Sequence, residues 1–193
     1  MAYIGEAPVV AAEDRNAGAA ARAAPSLRLP GLELEVTLDN TLRTYDTQVY
    51  FFVLPLSVDP RRVYPKNNVP GRTRLYVTVT PADPGFVFEP SQAVLAVTNR
   101  HFTGIAGYEF GMWDANGKHV TAGGKWDHRS VGARLALSEP GRRYYLSIDF
   151  DTPVPSPESP DISVDLSRAL RAPQHPPIPL IRFAPVRWKD GYT

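Results

Sequence analysis

Apolar and polar residues alternate along most of this chain, and the alternation predicts strands. Leu32-Glu33-Leu34-Glu35-Val36-Thr37-Leu38 has period two, so one face of that segment is apolar and the other polar. Arg74 to Thr80 repeats the pattern, as do Val131 to Leu137 and Tyr144 to Phe150. Val49 to Val58 is a denser apolar run that predicts a central strand, with Pro55 marking a bulge or an edge. Shorter strands are expected at Phe86 to Phe88, Ala93 to Val97, Asp161 to Leu166 and Ile178 to Phe183, with Pro185 to Trp188 continuing the last. Tyr108 to Trp113 and Lys118 to Thr121 flank Ala115-Asn116-Gly117, and Asn-Gly between two such runs predicts a hairpin.

No long segment has the 3.6-residue period of a helix; Leu166 to Arg171 has room for two helical turns at most. Between the strands lie Pro-, Gly- and Asp-rich turns such as Pro81-Ala82-Asp83-Pro84-Gly85. Many short strands at close intervals predict an all-β sandwich or barrel and argue against a fold built on crossover helices; an immunoglobulin-like Greek-key sandwich is the form taken forward. The run from Leu137 to Tyr144 places a tyrosine just after a Pro-Gly turn, the arrangement of a tyrosine corner, in which the phenol bonds back to the backbone.

Residues 1–30 lack this texture and read as an irregular lead-in to a sandwich domain at 31–193. Ala17 to Ala24 has helical propensity but few large apolar residues to dock it, so a tether is expected, with a docked arm or first strand as the alternative. The alanine-rich start has no basic region followed by an apolar core, so it is not an intact signal peptide. If the protein acts in the periplasm, an export signal or a lipid anchor has been lost from this sequence. No apolar run approaches the length of a membrane span.

Composition sharpens the picture. The 20 prolines among 193 residues work against long helices. With 21 basic and 20 acidic residues the net charge is +1, so nucleic acid, which demands a basic excess, is not an expected partner. There is no cysteine, which excludes disulfides, thiolate metal sites and cysteine nucleophiles.

Motifs for chemistry are missing as well. No G-x-S-x-G elbow, phosphate-binding loop or dinucleotide-binding glycine pattern occurs. His101, His119, His128 and His175 do not pair at metal-ligand spacing, and neighbours such as Asp127 and His128 point to opposite faces on a strand. Asp114-Ala115-Asn116-Gly117-Lys118 echoes a calcium loop but puts lysine where an oxygen ligand belongs. Glu109 and Asp114 fall on opposite faces of one strand segment, and Asp149 and Asp151 share a face at a strand end. No catalytic residue, cofactor or metal is therefore expected.

What remains is recognition chemistry. Lys125-Trp126-Asp127-His128-Arg129 lies between two turn regions, and tryptophan and arginine are the residues that most often anchor interfaces. Trp126, Asp127, His128 and Arg129 are read as a partner-binding loop, against the plainer alternative that Trp126 caps the core. Arg61, Arg62 and Tyr64, in a basic, proline-bearing loop, have the same chemistry. The end of the chain, Arg187 to Tyr192, is a third candidate.

The strand order from Val49 to Trp188 resembles a family of bacterial lipoproteins with an immunoglobulin-like sandwich. The likeness rests on Tyr50-Phe51-Phe52-Val53-Leu54, the corner Pro140-Gly141-Arg142-Arg143-Tyr144-Tyr145-Leu146, and the acid- and proline-rich loop Thr152 to Pro160. It implies a periplasmic immunity protein that blocks phospholipase effectors of the type VI secretion system, occupying the effector's active-site mouth with its loops. The family's lipobox cysteine is absent. The family has no catalytic motif, so the resemblance assigns no functional residue. A carbohydrate-binding or adhesive module is the alternative, with Trp113, Trp126 or Trp188 stacking on sugar rings.

Overall fold

The computed structural model describes residues 2–5, 26–40, 47–51, 54–58, 70–157 and 159–186. Among them the protein is an all-β sandwich of antiparallel strands with one short 3-10 turn, Pro90–Gln92. In chain order the strands are β1 (Ala2–Tyr3), β2 (Ser26–Leu29), β3 (Leu32–Leu38), β4 (Thr47–Phe51), β5 (Leu54–Val58), β6 (Thr73–Pro81), β7 (Phe86–Phe88) and β8 (Val94–Val97). They continue with β9 (Arg100–Trp113), β10 (His119–Val120), β11 (Lys125–Ser130), β12 (Leu135–Leu137), β13 (Tyr144–Phe150), β14 (Ile162–Asp165), β15 (Leu170–Arg171) and β16 (Ile181–Phe183).

Hydrogen bonding joins them in the order β1-β16-β14-β8-β9-β13-β6-β3-β2, with β10 and β11 also paired to β9. Most neighbours are distant in sequence, so long connections join strands that lie apart in the sheet. The sheet curls, bringing β1 back against β3. Two smaller sheets, β12-β7-β15 and β4-β5, complete the set.

The alternation of the sequence sets the inner face. Leu34 and Val36 of β3, Leu75, Val77 and Val79 of β6, and Leu146, Ile148 and Phe150 of β13 are all buried in one core. Leu95, Val164 and Ile181 reach the same core from β8, β14 and β16, and Phe88, Leu137 and Leu170 from the small sheet. Burial of this many large aliphatic and aromatic side chains, each contributing about 1.5–3 kcal/mol, drives the fold.

β9 is the hinge of the curl. Its first residues pair with β8, its middle with β13, and its last with β10 and β11. The register against β13 slips by one between Asp149 and Phe150, as at a bulge that bends a strand. Here Pro90 crosses β9 so closely that a Cβ on Gly104 would lie 2.1 Å from the Pro90 carbonyl oxygen. The Gly104 amide donates to the Ala93 carbonyl at 3.0 Å.

Several expectations are corrected. Val49 to Val58 is two strands, β4 and β5, paired as a hairpin. Leu166 to Arg171 makes no helix: a turn at Ser167–Ala169 leads into β15. The lead-in includes strands, β1 on β16 and β2 on β3, so those two stretches are docked rather than tethered. The stretch Ala17 to Ala24, expected to be part of a tether, lies outside the described residues, as does Trp188. The tyrosine corner is present, with the Tyr144 phenol oxygen accepting from the Glu139 amide at 3.1 Å.

Candidate functional site

The segment expected to be a partner-binding loop is a strand. β11 pairs antiparallel with the end of β9, Trp126 opposite Met112 and His128 opposite Phe110. The hairpin from β9 into β10 builds the tip of this three-stranded ribbon. Asp114 anchors it, its Oδ1 accepting from the Asn116 amide at 2.9 Å and the Lys118 amide at 2.8 Å. Gly117, at φ 80°, closes a three-residue loop of the kind that ends in a left-handed residue. Asp114 is thus committed to the turn.

Strand alternation splits the four sequence-expected residues between two faces. Trp126 and His128 lie on the sheet's outer face, where Trp126 is 55% exposed and stacks on Phe110 with centroids 5.1 Å apart and planes 20° apart. His128 tilts against the other neighbourhood of Phe110, at 4.7 Å and 53°. Tyr145, opposite Phe110 on β13, extends the patch and is 44% exposed. Arg143 sits 5.6 Å over the Tyr145 ring and forks onto both Glu35 carboxylate oxygens at 2.8 Å. Phe110, Tyr145 and Arg143 were not singled out from the sequence, although the alternation of β13 already placed Tyr145 opposite in sense to the buried Tyr144 and Leu146.

Asp127 and Arg129 occupy the reverse face. The Arg129 guanidinium lies 4.5 Å over the Trp113 ring, donates from Nη1 to the Gly117 carbonyl at 3.0 Å, and lies 3.7 Å from the Asp127 carboxylate. Trp113 Nε1 donates to the Asp127 carbonyl at 3.4 Å. Trp113, Asp114, Asp127 and Arg129 line an open groove of about 400 Å³ at the ribbon tip.

Ionisable groups near the ribbon are tuned by burial. Glu109, 5% exposed on the inner side of β9, has its carboxyl held above the ordinary value by burial, while Arg142 draws it down and Glu139 pushes it up. Arg142 bridges the two acids, Nη2 to Glu109 at 2.5 Å and Nη1 to Glu139 at 2.7 Å. Burial also lowers His119, helped by Arg142, and lowers His128, helped by Arg74 and opposed by Asp127 and Asp149. Both imidazoles are therefore biased toward the neutral form.

Further along the outer face, Asp149 is buried and takes a two-pronged ion pair from Arg74, at 2.6 and 2.8 Å. Ser147 beside it is 2% exposed, and its Oγ has no hydrogen-bond partner among the described residues. Its cross-strand neighbours are Tyr76 and Tyr108.

Among the described residues no three histidine or acidic side chains converge as a metal site, and no helix is long and apolar enough to cross a membrane. Arg61, Arg62 and Tyr64 lie outside the described residues. The chain matches no known protein family, no curated protein and no solved structure.

Proposed function

We propose that this protein is a non-enzymatic binding protein that blocks a bacterial toxin, a secreted lipase-type effector, in the periplasm, and that its contact surface is the outer face of β11, β9 and β13. The observation that carries the reading is the exposed cluster of Trp126, Phe110 and Tyr145, rimmed by Arg143. Tryptophan, tyrosine and arginine dominate interface energetics, and Trp126, 55% exposed on the outer sheet face, is not part of the buried core. Occlusion then comes from a sheet face and its projecting ribbon rather than from loops. A standard interface of about 1,600 Å² in total would cover the cluster and its polar rim. The test is titration of the purified protein into a lipase-type effector, sought first among the reading frames adjoining its gene. Hydrolysis should fall to zero at equimolar protein and recover with Trp126→Ala; a toxin fully active at saturating protein sinks the proposal.

A second reading, a carbohydrate-binding module, has one observation in its favour: the tip groove combines an indole, two carboxylates and a guanidinium. Against it, a flat sugar platform needs free ring faces, and here Phe110 stacks on Trp126 while Trp113 lies under Arg129. Glycan-array binding lost in Trp113→Ala would favour it over the toxin reading.

A further inference from the structure

β11 is held to the sheet along one edge. Among the described residues its backbone pairs with β9 and with no other strand. Five of its six residues are exposed, Arg129 being the half-buried exception. An open edge presents a row of unpaired N–H and C=O groups, ready to accept another strand.

The charges on this edge select what fits it. On the face opposite the Trp126 cluster, Lys125, Asp127 and Arg129 alternate in sign. A second copy of β11 added antiparallel must keep each face on its own side, so only registers in which odd positions meet odd positions are allowed. With a twofold axis through Asp127, Asp127 meets Asp127 of the other copy and Lys125 meets Arg129, which is repulsive throughout. With the axis through Trp126, only three residues of each strand overlap. With the axis through His128, five residues of each strand pair and both Asp127 side chains meet Arg129 of the other copy. Trp126 then lies beside Ser130 of that copy. Opposite charges directly across a sheet are favourable and like charges are not.

We infer that β11 is a homodimer seam, in which two copies pair antiparallel about an axis through His128 and form one continuous sheet. Such a contact is isologous, uses one patch on both copies, and closes. Asp127, 56% exposed, faces Arg129 of its own strand at 3.7 Å within one copy, so the seam exchanges that contact for Arg129 of the other copy. The seam uses the edge of β11 and leaves the outer face open, so the dimer carries two Trp126 clusters side by side. The inference does not depend on the toxin reading, because it needs no partner.

Sedimentation velocity of the full chain over a concentration series tests it. The wild type should shift from monomer to dimer. Asp127→Arg alone and Arg129→Asp alone should each sediment as monomers, since each sets like charges across the axis. An equimolar mixture of the two single variants should restore the dimer, because every cross-axis pair is then opposite in sign. That rescue cannot come from contacts within one copy. His128→Cys gives an independent readout: the chain has no cysteine, so mild oxidation should yield a covalent dimer through that position alone. A wild type that stays monomeric, single variants that dimerise like the wild type, a mixture that stays monomeric, or a variant that does not crosslink would each overturn the seam.

Discussion

At the scale of single residues, the unusual feature is a glutamate on the inner side of the sheet. Glu109 sits opposite Leu146 of β13 and depends on Arg142, which is itself shared with Glu139 and lies 4.3 Å over the Tyr144 ring. Removing one member of a buried pair leaves an uncompensated charge, so Arg142→Ala should cost about 3 kcal/mol in denaturant melts. The pH dependence has a definite sign. Burial is the largest influence on Glu109 and raises its folded pKa above the ordinary 4.5, so the folded state holds this proton more tightly than the unfolded chain. The stability this confers is present below 4.5 and is lost as pH rises through the folded value. Glu109→Gln removes the titration. Its stability relative to the wild type should therefore improve as pH rises from 4.5 toward neutrality, read by thermal melts at several pH values. A constant difference between the two proteins across that range would show that Glu109 does not titrate this way.

Among the elements, β9 decides the shape, and it does so through glycine. A side chain at Gly104 would meet the Pro90 carbonyl oxygen at 2.1 Å, and one at Gly107 would meet the Pro90 ring at 2.4 Å. Backbone cannot yield as a flexible side chain can, so Gly104→Ala should lose about 1–3 kcal/mol of stability through overpacking. Thr103→Ala, on the exposed neighbouring position, should be nearly neutral by the same denaturant melt. This strand also marks where the sequence stops being legible. β3, β6 and β13 could be read from alternation because their apolar face is the buried one. The end of β9 inverts that relation: Glu109 points in, and Phe110 and Trp126 of its neighbour point out. Alternation alone gives such a segment no facing. β11 was missed as a strand for a related reason, since Lys-Trp-Asp-His-Arg-Ser has no apolar face to bury and is held by backbone pairing with β9. Trp126, Asp127, His128 and Arg129 stand out in the sequence by residue type alone; their division between two faces follows only from the strand.

For the whole molecule, the question is what closes the curled sheet. β1 is two residues long, yet it pairs with β16 and lies against β3, so it sits where the two ends of the sheet approach each other. Ala2 is 2% exposed and Ile4 packs on the core, so this short strand buries apolar surface as well as backbone. Deleting residues 2–5 should cost about 2 kcal/mol, the scale of one aliphatic side chain returned to water. The loss should be local in origin. With β1 gone, β16 among the described residues becomes an outer strand paired with β14 alone, whereas β6 and β13 keep neighbours on both sides. Hydrogen exchange distinguishes this from a general weakening: amides of Ile181–Phe183 should lose protection first, while those of Leu75–Val79 and Leu146–Ile148 should track the global stability. Uniform loss of protection across β6, β13 and β16 would mean that the lead-in strand supports the entire sandwich rather than sealing one end of it. Unchanged protection everywhere would mean that β1 rests on a sheet already closed without it.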